Sequence, residues 1–123
     1  MGKEVVYMSI LLVFLGGMIG AVARFEVSHL LNGKSDYPLG TAAANISGGL
    51  LLGILIRLQE IVGLEDWLWL LLAAGFCGGY TTYSTFSYEV LHLIEQGQWK
   101  KGLVYAGTSL ILTVAGLFFI LYI

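Results

Sequence analysis

Apolar residues in this chain fall in long blocks rather than in stripes. Four blocks stand out, Val5–Leu31, Leu39–Leu58, Trp67–His92 and Leu103–Ile123. Each is close to or beyond the roughly 20 apolar residues that carry an α-helix across a bilayer. With their polar ends, the blocks predict four helical spans at about 5–31, 39–58, 67–95 and 99–123. Short polar passages separate them. Asn32–Pro38 (NGKSDYP) joins an Asn-Gly turn to a proline suited to opening the next helix. Gln59–Asp66 carries three acids, and Glu95–Lys101 (EQGQWKK) places Gly97 where a helix C-terminus calls for a left-handed residue. Trp67, Trp69 and Trp99 sit at block ends, the headgroup level that amphipathic rings favour. The pattern predicts an all-α membrane protein, a single four-helix domain over residues 1–123.

Composition sharpens this picture. The chain is 58% hydrophobic and 11% charged, whereas soluble domains carry about 25% charged residues. A net charge of −2 offers no basic patch, which excludes nucleic acid as a partner and leaves the lipid bilayer. Cys77 is the only cysteine, so no intrachain disulfide or thiolate cluster can form, and it reads as a small packing residue. His29 and His92 lie near block ends with no ligand at metal spacing and read as interfacial. Ala21-Val22-Ala23 resembles a signal-peptide cleavage site, but Glu4 follows Lys3 at once and Gly16-Gly17 interrupts the run, so the first block is expected to be a span.

Four spans place both ends of the chain on one side. Lys3 and Arg57 belong to that side; Lys34, Lys100 and Lys101 belong to the other, with Arg24 leaning towards it. A bias of two against three is too small to fix orientation by loop charge. Two readings stay open, a single weakly biased topology and insertion both ways with head-to-tail self-pairing.

The blocks also carry faces. Gly16, Gly20 and Arg24 recur every four residues, as do Thr41, Asn45, Gly49 and Gly53. Small residues at that spacing let backbones approach closely in lipid. Asn45 differs, because a side-chain amide at membrane depth needs a partner or water. Tyr105, Ser109, Thr113 and Gly116 give the fourth block a neutral polar face. Membrane hydroxyls often bond back to their own helix, so only the stack of them suggests a track. Arg24 can reach the interface on its long stem.

The third block holds the least expected passage, GFCGGYTTYSTFSYE at Gly75–Glu89. Gly75, Gly78 and Gly79 invite a helix break near mid-membrane, and broken backbone survives there only when buried in protein or lining a wet cavity. Freed carbonyls of Gly78 and Thr81 would suit a small cation. A glycine packing face without a break is the other reading. If helix resumes near Thr82, Tyr83 and Phe86 lie one turn apart, with ring edges that attract an anion weakly. Weak sites suit conduction; a midplane lysine would cost roughly 2.5–3.5 kcal/mol to insert and hold an anion too long.

GGMIGAVAR at Gly16–Arg24, GTAAANISGG at Gly40–Gly49, GGYTTYSTFSYE at Gly78–Glu89 and YAGTS at Tyr105–Ser109 closely resemble the Fluc (CrcB) family of fluoride ion channels. The resemblance touches all four blocks, and TTxSTFSxE is its most specific element. It implies an antiparallel, dual-topology homodimer with two fluoride pores and a structural sodium ion at the dimer centre. It implies that Gly78 and Thr81 supply sodium-binding carbonyls and that Tyr83 and Phe86 occupy two phenylalanine-box positions. Asn45 would donate from the second helix, Tyr105, Ser109 and Thr113 would line the polar track, and Arg24 would sit near the vestibule. The implied role is passive fluoride export across a bacterial inner (plasma) membrane. Two positions depart from the family pattern: Tyr83 replaces the usual phenylalanine and Tyr80 an aliphatic residue.

The main rival is a small multidrug-type proton-coupled transporter, which shares length, four spans and dual topology. Such exchangers use a membrane-embedded glutamate in the first helix, where this chain has only Glu4 and Glu26 near the ends. A non-transporting scaffold would explain the glycines but not Asn45 or the hydroxyl face. No nucleophile–base pair or metal-ligand set suggests an enzyme.

Overall fold

The computed structural model describes residues 2–123. Its elements are all helical: α1 (Lys3–Leu31), α2 (Leu39–Ile61), α3 (Asp66–Trp69), a π-helical run (Leu70–Cys77), α4 (Gly78–Tyr80), α5 (Ser84–Glu95) and α6 (Trp99–Tyr122). Three helices, α1, α2 and α6, are long and apolar enough to cross a membrane. The run from α3 through α4 covers 66–80 without interruption, and Thr81, Thr82 and Tyr83 then leave the helix before α5 begins. At 1.5 Å per residue, neither part alone reaches about 30 Å, the thickness of the hydrocarbon core.

The helices extend past the apolar blocks into the polar passages, α1 back to Lys3 and α2 on to Ile61. Pro38 stands at the N-cap of α2, and the Gly40 N–H donates to Asn32 Oδ1 at 2.7 Å, so the connector itself supplies an acceptor to the helix start. Gly97 has φ +79 and closes α5: its N–H donates to the Ile94 carbonyl at 3.0 Å, and the Gln98 N–H to the Leu93 carbonyl at 2.9 Å. That pair of bonds is the glycine-closed helix terminus anticipated from EQGQWKK. Lys101 reaches back 3.0 Å to Asp36, tying the α1–α2 connector to the start of α6.

Small residues fill the interior and large ones face out. Gly16, Gly20, Gly48, Gly49, Gly53, Ala44, Ala73, Gly75 and Cys77 are buried, while Phe14, Phe25, Ile111, Phe119 and many other large apolar side chains are exposed. This inverts a soluble core and suits a lipid solvent, where close backbone contact holds helices together. α1 packs on the π-helical run and α4, and α2 packs on α6. A methyl group at Gly16 would collide with the Leu71 carbonyl and the Phe76 amide, and one at Gly79 with the Gly17 backbone. The two backbones therefore touch directly.

This changes the role of the glycine cluster. Gly75, Gly78 and Gly79 all lie within helix. Gly75 and Gly79 serve the contact with α1. The departure from helix comes later, at Thr81–Tyr83, where Thr81 is extended (φ −84, ψ 154). Helix resumes at Ser84 rather than near Thr82.

Candidate functional site

The local cause of the interruption is a side chain on another helix. Asn45, on α2, uses its amide in both directions: the Thr82 N–H donates to Oδ1 at 2.7 Å, and Nδ2 donates to the Thr82 carbonyl at 2.9 Å. In a continuous helix the Thr82 N–H would go to the Gly78 carbonyl. Likewise, the Thr85 N–H donates to Thr82 Oγ1 at 3.2 Å instead of to the Thr81 carbonyl. The Gly78 and Thr81 carbonyls thus both lose their helical donors. The Gly79 carbonyl is satisfied differently, accepting from Arg24 Nε at 3.1 Å. Thr81 returns its hydroxyl proton to the Cys77 carbonyl at 2.7 Å.

A groove of about 590 Å³ opens beside this interruption. Asn45, Gly78, Thr81, Tyr83, Phe86, Ser109 and Thr113 all line it, and no lining residue is charged. Residues from three distant parts of the chain therefore meet on one surface. The Tyr83 and Phe86 rings stand 6.4 Å apart at 40°. Tyr83 is 80% exposed and projects from the chain's surface.

The donors of this groove can be followed one by one. Asn45 has spent its oxygen and one of two N–H bonds, leaving one N–H. Thr113 donates to the Ser109 carbonyl at 2.7 Å, so its proton stays within α6. Ser109 behaves differently. It is 4% exposed, and its Oγ has no hydrogen-bond partner among the described residues. The Tyr105 hydroxyl, one turn back on α6, is the group nearest to offering it an acceptor, because its own proton goes to Glu89.

Two expected residues lie outside the groove lining. Arg24 holds the Gly79 carbonyl. Tyr105 is buried, its ring 5.4 Å from Phe86 and its hydroxyl donating to Glu89 Oε2 at 2.8 Å. The other Glu89 oxygen accepts from Thr41 Oγ1 at 2.7 Å. In sequence Thr41 stands out only as part of the α2 face and Glu89 only as a charge near the end of a span, although Glu89 lies three residues beyond Phe86 and so shares its face. An acid inside an apolar block was the available signal. Glu89 locks α2, α5 and α6 together and supports the Phe86 ring through Tyr105.

The family model described as CrcB-like protein, Camphor Resistance (CrcB), matches residues 11–121. The chain belongs to the CrcB family. Curated relatives agree along nearly the whole length. A Coxiella burnetii protein named fluoride-specific ion channel FluC is 46% identical over 114 residues, covering 89% of this chain and 91% of the relative. The Yersinia pseudotuberculosis protein named fluoride-specific ion channel FluC 1 is 42% identical over 110 residues, covering 88% and 84%. A relative of the same FluC name from Methanococcus aeolicus is 33% identical over 114 residues, covering 93% and 89%. This CrcB chain is thus a multi-pass membrane protein whose matched region includes every residue of the groove.

Proposed function

We propose that the chain is a fluoride-selective channel and that the uncharged groove is one wall of its pore. The observation that carries this is the groove itself: Asn45, Tyr83, Phe86, Ser109 and Thr113, drawn from three parts of the chain, line one uncharged surface beside the interruption. Fluoride is small and strongly hydrated, and it accepts hydrogen bonds. The spare N–H of Asn45, the Ser109 hydroxyl and the ring edges of Tyr83 and Phe86 replace part of its water without binding it tightly. Tyr105 and Thr113 flank Ser109 one turn away on α6 and continue the neutral face. Arg24 acts from the other side of the interruption, near the vestibule. The relatives' names support the ion's identity.

The parts before and after Thr81–Tyr83 would together make one broken span, giving four spans in one domain over residues 1–123. A second, antiparallel copy would cover the open side of the groove and complete two pores. The exposed Tyr83 and the open surface over Gly78, where an added methyl group meets nothing within 4 Å, favour such a partner. At the centre of that dimer a structural sodium ion fits the Gly78 and Thr81 carbonyls, which are hard oxygen donors with their helical partners diverted. Such an ion would supply a fixed positive charge. The chain's own contribution is to hold those carbonyls away from the helix, through Asn45 and Thr82.

A proton-coupled exchanger needs a carboxylate free to trade a proton for cargo. Glu89, whose two oxygens each accept a hydroxyl, is instead committed to structure. Flux from liposomes containing purified protein tests the proposal. Fluoride efflux that needs no proton gradient, with chloride retained, is the expected result, and Ser109→Ala should slow it. Strict dependence on a proton gradient, or no fluoride flux, would overturn it.

A further inference from the structure

We propose that Tyr80 and Ser47 form a second grip on the helix interruption, so that α2 holds it from two faces. Asn45 grips Thr82 on one side. Two residues along α2, about 200° around its axis, Ser47 Oγ lies 2.9 Å from the Tyr80 hydroxyl. The direction of this bond follows from proton bookkeeping. Ser47 already donates its one proton to the Ala43 carbonyl at 2.6 Å, so Tyr80 donates and Ser47 accepts. The Tyr80 ring is fixed as well. It stacks on Phe76 with centroids 5.4 Å apart and planes 17° apart, and it lies over the buried Gly48, where an added methyl group would come within 3.2 Å of the ring.

Tyr80 is the last residue of α4, directly before the extended Thr81. Its backbone also sits against Gly20 of α1. A bond from its side chain to α2 therefore pins the end of α4 in place, while Asn45 takes the Thr82 groups that would carry the helix on. Nothing in helix propensity would stop α4 at this point, since tyrosine followed by threonine is compatible with helix. With only the Asn45 grip, the segment has freedom to pivot about Thr82, and the Thr81 carbonyl and Tyr83 ring would move with it. Tyr80 is accordingly a positioning residue for the pore wall, and its influence on fluoride passage rests on the channel reading above.

The test uses the full-length protein with Tyr80→Phe, which keeps the ring and removes the hydroxyl, Ser47→Ala, which removes the acceptor, their combination, and Ser47→Thr. Hydrogen exchange followed by mass spectrometry reads the 79–85 segment against α1 and α6, and liposome efflux reads function per folded channel. Interhelical bonds in membranes are modest in strength, so the expected change is about threefold: faster exchange confined to the interruption and slower fluoride efflux for each single variant. The double variant should match either single one, and Ser47→Thr should behave as the parent. Unchanged exchange, exchange raised evenly in all helices, or additive effects would each overturn the grip, and altered exchange with unaltered efflux would overturn its role in positioning the pore wall. If the parent itself passes no fluoride, the channel reading falls, and the exchange arm still decides whether the grip exists.

Discussion

Replacing Asn45 by alanine removes both bonds that hold Thr82 out of the helix, at 2.7 and 2.9 Å. The Thr82 N–H and carbonyl are then left unmatched at membrane depth, at about 1–3 kcal/mol each, so the full loss is about 2–6 kcal/mol. Part of this can be recovered. The Thr82 N–H can return to the Gly78 carbonyl and heal one helical bond, which brings the loss down to about 1–3 kcal/mol. Healing restores stability but consumes a carbonyl of the proposed sodium site and turns Tyr83 away from its place on the groove. The expected outcome is therefore asymmetric: a modest loss of stability and a severe loss of fluoride transport. Asn45→Asp keeps an acceptor for the Thr82 N–H but offers no donor to its carbonyl, and should fall between. Unfolding in mixed micelles gives the first quantity, and efflux from liposomes matched for folded protein gives the second. An Asn45→Ala channel that conducts as the parent does, with stability within about 0.5 kcal/mol, would refute the claim that Asn45 creates the interruption.

Other outcomes follow from the same geometry. Gly20→Ala pushes a methyl group into the Phe76 carbonyl and Tyr80 amide, and should cost about 1–3 kcal/mol by overpacking. Gly107→Ala meets nothing within 4 Å, so a neutral or stabilising change of up to about 1 kcal/mol is expected from helix propensity; thermal unfolding in detergent separates the two. Glu89→Gln turns an amide donor towards one of two hydroxyls that now donate to it. It should cost about 1.5–3 kcal/mol, the range for a bond to a charged group, and slow efflux by loosening Tyr105 beneath Phe86. Tyr83→Phe keeps the ring edge and should preserve fluoride efflux; a silent channel would show that the hydroxyl had become necessary here.

Much of this was legible along the chain. Lipid imposes a strong and local rule: each backbone polar group must be satisfied within its own helix or by a specific partner. Helix identity, the polar connectors and the Gly97 terminus therefore follow from short stretches of sequence. Four-residue repeats also reveal which faces are small, since α1 meets its neighbour through Gly16 and Gly20, and α2 through Gly49 and Gly53. Asn45 and Ser109 were recognisable because they are polar in apolar blocks, and Phe86 because its ring lies one turn from that of Tyr83.

The third block marks the limit. Glycines suggested that the helix breaks where its propensity is weakest, yet Gly78 and Gly79 remain helical and the chain departs at Thr81. In a packed bundle a weak helical residue breaks nothing unless a competing partner takes its hydrogen bonds. That partner, Asn45, lies 37 residues away. Glu89 shows the same dependence: its value comes from hydroxyls on α2 and α6 that meet it only after folding. Sequence alone settled which stretches are helical and apolar and which faces are narrow, because those depend on neighbours along the chain. Only the tertiary structure decided where the helix stops and which polar groups stay unspent, because a hydrogen-bond donor can be claimed by any acceptor that packing brings within 3 Å or so.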